Sequence, residues 1–148
     1  MAVVALWLAA ASLPSAAEPT LVDVAERGDR AAALRLLSKG ANPNAPGADG
    51  STAIMYAAAN DDLELVRALI RAGANVKAKN QFGTTAMTEA AIIGSAPVVG
   101  ALLKDGGDPN TRTPQGETPL MAVARSGNVD AAKLLVDCLL YTSPSPRD

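Results

Sequence analysis

Leucine residues recur along the chain at a constant interval. Each lies in a short segment whose apolar positions follow helical spacing, and the next position is apolar as well. The two series are Leu36, Leu69, Leu102 and Leu135, followed by Leu37, Ile70, Leu103 and Val136. The step is 33 residues throughout. A fixed period of this length predicts an array of repeats, none of which could bury its apolar face alone.

Polar positions with the same period predict two helices in each repeat. The second apolar segment is always preceded by a residue whose side chain can accept hydrogen bonds from the free N–H groups of a helix start. This capping series is Asp29, Asp62, Ser95 and Asn128. Gly40, Gly73 and Gly106 follow the second segment, where a left-handed C-cap residue is expected.

Positions in the first segment also repeat and indicate close helix packing. Thr52, Thr85 and Thr118 begin this segment in three units, whereas the first unit has Pro19 at that position. A column of small residues follows, made of Ala25, Ala58, Ala91 and Ala124. Met55, Met87 and Met121 occupy repeat positions and are expected in or near the core.

The 33-residue period, the Thr-x-x-x-x-Ala helix start and the Gly-Ala-Asn exit resemble the ankyrin repeat family. The resemblance covers about residues 18–137. It implies an all-α fold, a solenoid of paired antiparallel helices with short β-hairpin-like loops. The units are about 18–46, 47–79, 80–112 and 113–137, and the last is interpreted as truncated.

Three positions depart from the pattern of this family. Met55, Thr88 and Met121 stand where the family motif Thr-Pro-Leu-His has its histidine. Asp61 replaces the glycine found between the two helices of the other units, and an aspartate tolerates the left-handed conformation expected there. The exit Gly106-Gly107-Asp108 predicts a looser turn than Gly-Ala-Asn.

The two ends of the chain do not follow the repeat. Residues 1–17 contain an apolar run with Ser15 and Ala17 at the −3 and −1 positions of a signal peptidase site, which predicts a signal peptide cleaved after Ala17. This segment lacks Lys and Arg, and the alternative is a buried N-terminal helix; the apolar run is shorter than the ~20 residues of a membrane span. Residues 138–148, CLLYTSPSPRD, resemble a translated sequencing adapter. They are interpreted as a non-native tail, and the alternative is a natural non-helical tail.

Composition argues against several kinds of chemistry. The chain has no histidine and one cysteine, Cys138, so that histidine-dependent nucleophilic triads and histidine-ligated metal sites are excluded. Asp61, Asp62 and Glu64 could bind a cation, but their place at a helix start explains them without one. The net charge of −2 does not favour nucleic acid or an anionic membrane surface as a partner. We therefore expect no enzyme activity, no cofactor and no metal.

The family resemblance implies a concave protein-binding face made of hairpin tips and the first helix of each unit. Carried over by repeat position, the hairpin candidates are Asp49, Ser51, Gln81, Phe82, Thr84, Gln115 and Glu117. The helix candidates are Tyr56, Ala59, Glu89, Ile92, Ala122 and Arg125. Phe82 and Tyr56 are favoured as anchors because large aromatic side chains on a rigid support are typical hot spots. The alternative for either ring is packing within the fold.

The sequence thus predicts an exported, monomeric, non-catalytic module that binds a protein partner. Its Ala-rich composition and simple leader are typical of a bacterial protein, which would place it in the periplasm or outside the cell. Two other interpretations remain open. The chain could be an accessory domain of a larger enzyme, or a secreted effector or immunity factor.

Overall fold

The computed structural model describes residues 17–142. The helices within this range are α1 (Leu21–Glu26), α2 (Arg30–Ser38), α3 (Ala53–Ala59), α4 (Leu63–Arg71), α5 (Ala86–Ile93), α6 (Ala96–Lys104), α7 (Pro119–Ser126) and α8 (Val129–Thr142). No strand occurs among the described residues. The predicted signal peptide lies outside them except for Ala17, and so do residues 143–148 of the predicted tail.

The helices form two layers that run the length of the stack. Odd-numbered helices pack on one another in chain order, as do even-numbered helices, and each odd helix also packs on the even helix that follows it. We call these the inner layer (α1, α3, α5 and α7) and the outer layer (α2, α4, α6 and α8). The arrangement confirms the predicted solenoid of helix pairs.

The capping column predicted from the sequence is confirmed at all four positions. Each side chain accepts a hydrogen bond from the amide three residues further on, which begins an outer-layer helix. The amide-to-oxygen distances are 2.9 Å at Asp29, 3.0 Å at Asp62, 3.3 Å at Ser95 and 3.0 Å at Asn128. Asp61 also has the expected left-handed backbone, with φ of 55°.

One apolar core continues from the first unit to the last. Leu69, Leu102 and Leu135 are fully buried, and the inner-layer alanines Ala25, Ala58 and Ala91 have no exposed surface. Leu36 is only partly buried. Burying a leucine or isoleucine side chain stabilises a fold by roughly 1.5–3 kcal/mol. The core is therefore shared between units, as the period predicts.

The predicted burial is wrong for two residues of α7, and the position of this helix at the end of the inner layer explains why. Met55 and Met87 are buried, but Met121 is 59 % exposed and Ala124 is exposed as well. The equivalent residues in α3 and α5 are buried, because another inner helix packs on each of those helices; they are Met55, Thr88, Ala58 and Ala91. No described inner helix packs beyond α7, so Met121 and Ala124 remain at the surface.

The first and third units correct two further expectations. In the first unit Pro19 stands where the other units have the threonine that begins the inner helix. Thr20 caps α1 instead, one residue later, and a capping box joins Thr20 to Asp23. The exit turn of the third unit is not looser than the others. The Gly107 amide donates to the carbonyl of Leu102 at 2.7 Å, so the closing bond of the turn is kept.

Helix α8 extends further than the outer helices of the other units. The other three span nine residues each, whereas α8 spans 14 and includes Cys138 and Tyr141. Leucines occupy positions 139 and 140, where the period would place a glycine that ends the helix. A natural tail that is non-helical from residue 138 onward does not agree with this structure.

Candidate protein-binding surface

The inner-layer helices α3 and α5 expose one narrow stripe, which we call the helix-one face. In α3 every residue is buried except Tyr56 and Ala59, and in α5 the exposed or half-buried residues are Glu89, Ile92 and Ile93. Because α3 and α5 pack side by side, residues 33 positions apart lie next to each other on this stripe. The structure therefore brings four of the predicted helix candidates together on one surface, Tyr56, Ala59, Glu89 and Ile92.

One helix candidate does not reach this surface. Ala122 is only 4 % exposed and belongs to the apolar core. Its methyl group is too short to emerge where Tyr56 and Glu89 do at the equivalent positions. Arg125, one turn later in α7, is exposed and forms an ion pair with Glu117 at 2.6 Å. The last unit thus contributes an ion pair to the surface.

The sequence did not single out Ile93. Its side chain is 49 % exposed, beside Ile92 at 48 %. The other units carry Asn60 and Ser126 in its column and Ala59 and Arg125 in that of Ile92. An isoleucine pair in columns that are otherwise small or polar was a detectable signal of an exposed apolar patch.

Hydrogen bonds join the hairpin-like loops of the second and third units. The Ser51 hydroxyl donates to Oδ2 of Asp49 at 2.7 Å and accepts from Nδ2 of Asn80 at 3.0 Å. The Gln81 amide donates to the carbonyl of Asp49 at 3.0 Å. Ser51 is only 5 % exposed as a result, so its side chain joins the loops and is not available to a partner.

Asn80 also shapes the loop that carries the aromatic candidate. Its Oδ1 accepts from the amides of Phe82 at 3.0 Å and Thr84 at 2.9 Å. An asparagine that bonds its own turn in this way fixes the loop conformation. Phe82 is held by this turn with 63 % of its surface exposed, so the ring does not pack into the adjacent hairpin. Sequence reasoning missed Asn80, whose column holds Gly47 and Thr113 in the other units.

The remaining hairpin candidates differ in accessibility. Gln81 and Gln115 are exposed, whereas Thr84, Asp49 and Glu117 are half-buried. Gln81 also donates from Nε2 to the carbonyl of Ala48 at 3.3 Å. The surface accessible at the tips therefore consists chiefly of Phe82 and two glutamines.

The electrostatics of the helix-one face are acidic around Tyr56. Burial raises the pKa of the Tyr56 phenol, and the negative charges of Asp49 and Glu26 raise it further, against a hydrogen bond from Ser51 that lowers it. Burial likewise raises the pKa of the Glu89 carboxyl. The Glu89 carboxyl group forms no hydrogen bond or ion pair with any residue between 17 and 142. It is a half-buried acid without a cation to offset its desolvation.

No group of three or more metal-ligating side chains occurs in residues 17–142. Within the same range, no helix is both long and apolar enough to cross a membrane. The acids Asp62 and Glu64 are engaged with Arg30 at 2.8 Å each, so they serve contacts between units.

Fold and surface together define a helical repeat solenoid with an exposed loop edge. Residues 21–113 match the model of ankyrin repeats in three copies, and residues 115–143 match the model of a single ankyrin repeat. The chain belongs to the ankyrin repeat family. No curated protein matches it. Ankyrin repeats are generally protein–protein interaction modules and are typically non-catalytic.

Proposed function

We propose that this chain is a non-catalytic, monomeric module that holds a protein partner against the helix-one face and the hairpin tips. The exposed Phe82 ring carries the proposal. A phenylalanine that is 63 % exposed on a loop fixed by Asn80 pays little conformational entropy on binding. Ile92 and Ile93 add exposed apolar surface on the adjacent helix.

The charges of the face favour a partner that presents a basic residue. Glu26, Asp49 and Glu89 are carboxylates near Tyr56, and Glu89 lacks a counter-charge among the described residues. A lysine or arginine placed there would neutralise this potential and could stack on the tyrosine ring. Complementary charge of this kind selects partners and speeds association.

Site-directed photo-crosslinking tests which face is used. A benzophenone amino acid at position 82 or 92 is expected to yield the same crosslinked protein, because both positions would lie in one interface. A probe at position 35, on the exposed side of α2, is the matched control and should not yield it. Equal crosslinking from position 35 would contradict the assignment of this face.

The partner identified in this way then permits a binding measurement. The double variant Tyr56→Ala, Phe82→Ala should lose most of the affinity while its helical circular dichroism stays unchanged. Each aromatic anchor typically contributes about 2 kcal/mol or more when it is a hot spot. Unchanged affinity of the folded double variant would show that the aromatic side chains are not the anchors.

We further propose that the protein is exported, to the periplasm or beyond. The apolar run before Pro14 and the small residues Ser15 and Ala17 support cleavage before Glu18. N-terminal sequencing of the protein from the periplasmic or extracellular fraction should begin at Glu18. Recovery of the chain with Met1 retained, in the cytoplasmic fraction, would contradict export.

A further inference from the structure

A groove runs between α4 and α6 in the outer layer. Its volume is about 480 Å³. Arg67 and Arg71 line it from α4, and Lys104 lines it from α6. Ile70 and Gly100 contribute to its lining between these cations. The groove therefore combines an apolar or neutral floor with basic walls.

Small residues of α6 leave the groove open. Gly100 and Ala101 both line it. A Cβ added to Gly100 would meet only Leu134 of α8, at 3.6 Å from its Cδ1 atom. Ala101 stands where the fourth unit has Leu134, so the third unit has the smaller side chain at this lining position.

The charges between α4 and α6 also differ from those between α2 and α4, the preceding pair of outer-layer helices. Between α2 and α4, Arg30 contacts Asp62 and Glu64 at 2.8 Å each. The residues 33 positions further on are Ser95 and Pro97, which carry no charge. The contact between α4 and α6 therefore lacks the acids that pair with a cation between α2 and α4.

The three cations of the groove remain without partners in the fold. Arg67, Arg71 and Lys104 are exposed and form no hydrogen bond or ion pair through their side chains with any residue that the structure describes. Asp105, at the end of α6, is the one carboxylate in the lining. The groove thus presents an excess of two positive charges.

We propose that this groove binds an acidic peptide segment of a partner protein. Arginine guanidinium groups form paired hydrogen bonds to carboxylates, and Arg67 and Arg71 lie one helical turn apart so that two acids could be held at once. The floor around Ile70 accepts a small apolar side chain between those acids. No aromatic side chain lines the groove, so it lacks the stacking surface that single-stranded nucleic acids use.

Fluorescence anisotropy with the full chain tests this proposal. The probe is a fluorescein-labelled peptide of glutamates that alternate with alanines and leucines, and a glutamine version is its neutral control. The double variant Arg67→Gln, Arg71→Gln should weaken binding of the acidic probe by about tenfold or more, since each charge-assisted hydrogen bond contributes that order of affinity. Arg35→Gln, on the exposed side of α2, is the matched control and should leave the affinity within about twofold, since exposed charges away from a site contribute little.

A variant without a change of charge distinguishes binding in the groove from non-specific electrostatic attraction to the surface. Ala101→Leu keeps every charge but places a longer side chain in the lining of the groove, and it should weaken binding of the acidic probe as strongly as the arginine variants do. Circular dichroism confirms that each variant is folded. Binding that survives Ala101→Leu, or that falls equally with Arg35→Gln, would overturn the proposal. So would equal affinity for the glutamine peptide, or tighter binding of a deoxythymidine oligonucleotide than of the acidic probe.

Discussion

Arg30 of the first unit donates from Nε to Oδ2 of Asp62 in the second unit, at 2.8 Å. The other carboxylate oxygen of Asp62 accepts the Leu65 amide at 3.0 Å and so begins α4. A single side chain therefore caps one helix and ties it to the helix before it. The sequence predicted the cap but not the contact between units, because the repeat column shows which residue begins a helix and not which neighbour reaches it.

Substitutions at Asp62 should separate these two roles. Asp62→Ala loses both, whereas Asp62→Asn keeps a capping oxygen and loses the charge. We expect Asp62→Ala to lower the free energy of unfolding by more than the roughly 1 kcal/mol of a cap alone, and Asp62→Asn to lower it less. Urea denaturation measures both values.

Ser95 provides the control for the capping role. Ser95→Ala removes a cap from α6 at a position without an ion pair, so it should cost about 1 kcal/mol and show little salt dependence. Asp62→Ala should lower the free energy of unfolding by more than Ser95→Ala does. This difference should become smaller in high salt, because the Arg30 side chain is half exposed. A loss that is equal in both variants and insensitive to salt would show that the Arg30 contact contributes nothing.

Two glycines of the third unit should respond oppositely to alanine. Gly100 lies inside α6 with space for a Cβ, so Gly100→Ala should raise the free energy of unfolding by up to about 1 kcal/mol. A Cβ at Gly107 would lie 2.8 Å from the carbonyl oxygen of Leu102 and 2.9 Å from Cε of Met87. Gly107→Ala should therefore destabilise the chain, because the backbone of the turn must move.

Thermal and urea unfolding of the two variants check this prediction. Ala74 stands at the position equivalent to Gly107 in the second unit, so alanine fits this type of turn where the loop is less tight. If Gly107→Ala is as stable as the parent chain, the close approach at Leu102 is not needed. If Gly100→Ala is destabilised, the space above α6 is not open to a methyl group.

Much of the fold follows from residues that act locally, and the sequence predicts those features well. A capping serine or aspartate, or an aspartate in a left-handed turn such as Asp61, is recognised from its own chemistry and its repeat position. Burial is different because it depends on what lies beyond the unit. Met121 and Ala124 match buried residues in sequence but are exposed, since no described helix covers α7.

At the candidate surface, too, features that depend on local chemistry were predicted better than burial by neighbouring elements. Phe82 was predicted to be an exposed anchor because a ring at a turn has no local reason for burial, and the structure shows its exposure. Ser51 and Ala122 were chosen by column alone and prove to be buried, one by hydrogen bonds to two loops and the other by the shortness of its side chain. A repeat position predicts which side of the unit a residue lies on, but it does not predict whether its side chain is long enough to reach the surface.

Glu89 should make stability depend on pH in a defined direction. Burial raises its pKa above the ordinary value of 4.5, so the folded chain binds this proton more tightly than the unfolded chain does. The stabilisation is fully present below 4.5 and is lost as the pH rises through the folded-state pKa. At neutral pH the half-buried carboxylate therefore lowers stability.

Glu89→Gln removes this charge and should stabilise the chain at neutral pH. Below the ordinary glutamate pKa the two proteins should differ much less, because Glu89 is then protonated in both states. Urea denaturation of parent and variant at the two pH values gives the comparison. Glu18→Gln is the control, at an exposed acid that forms no ion pair with any described residue. A gain that is the same at both pH values would contradict desolvation of the charge as its cause.

The last prediction concerns how firmly Phe82 is held. Asn80 accepts from the amides of Phe82 and Thr84 and donates to Ser51, so Asn80→Ala should remove three hydrogen bonds and cost about 2 kcal/mol. The effect should be local: amide hydrogen exchange at residues 82 and 84 should quicken while the caps of α4 and α6 stay protected. Gln81→Ala, which removes one side-chain bond at 3.3 Å, is the control and should change neither. Slow exchange at residue 82 in Asn80→Ala would show that the loop is fixed by its backbone alone, and the rigidity attributed to the Phe82 anchor would then need another source.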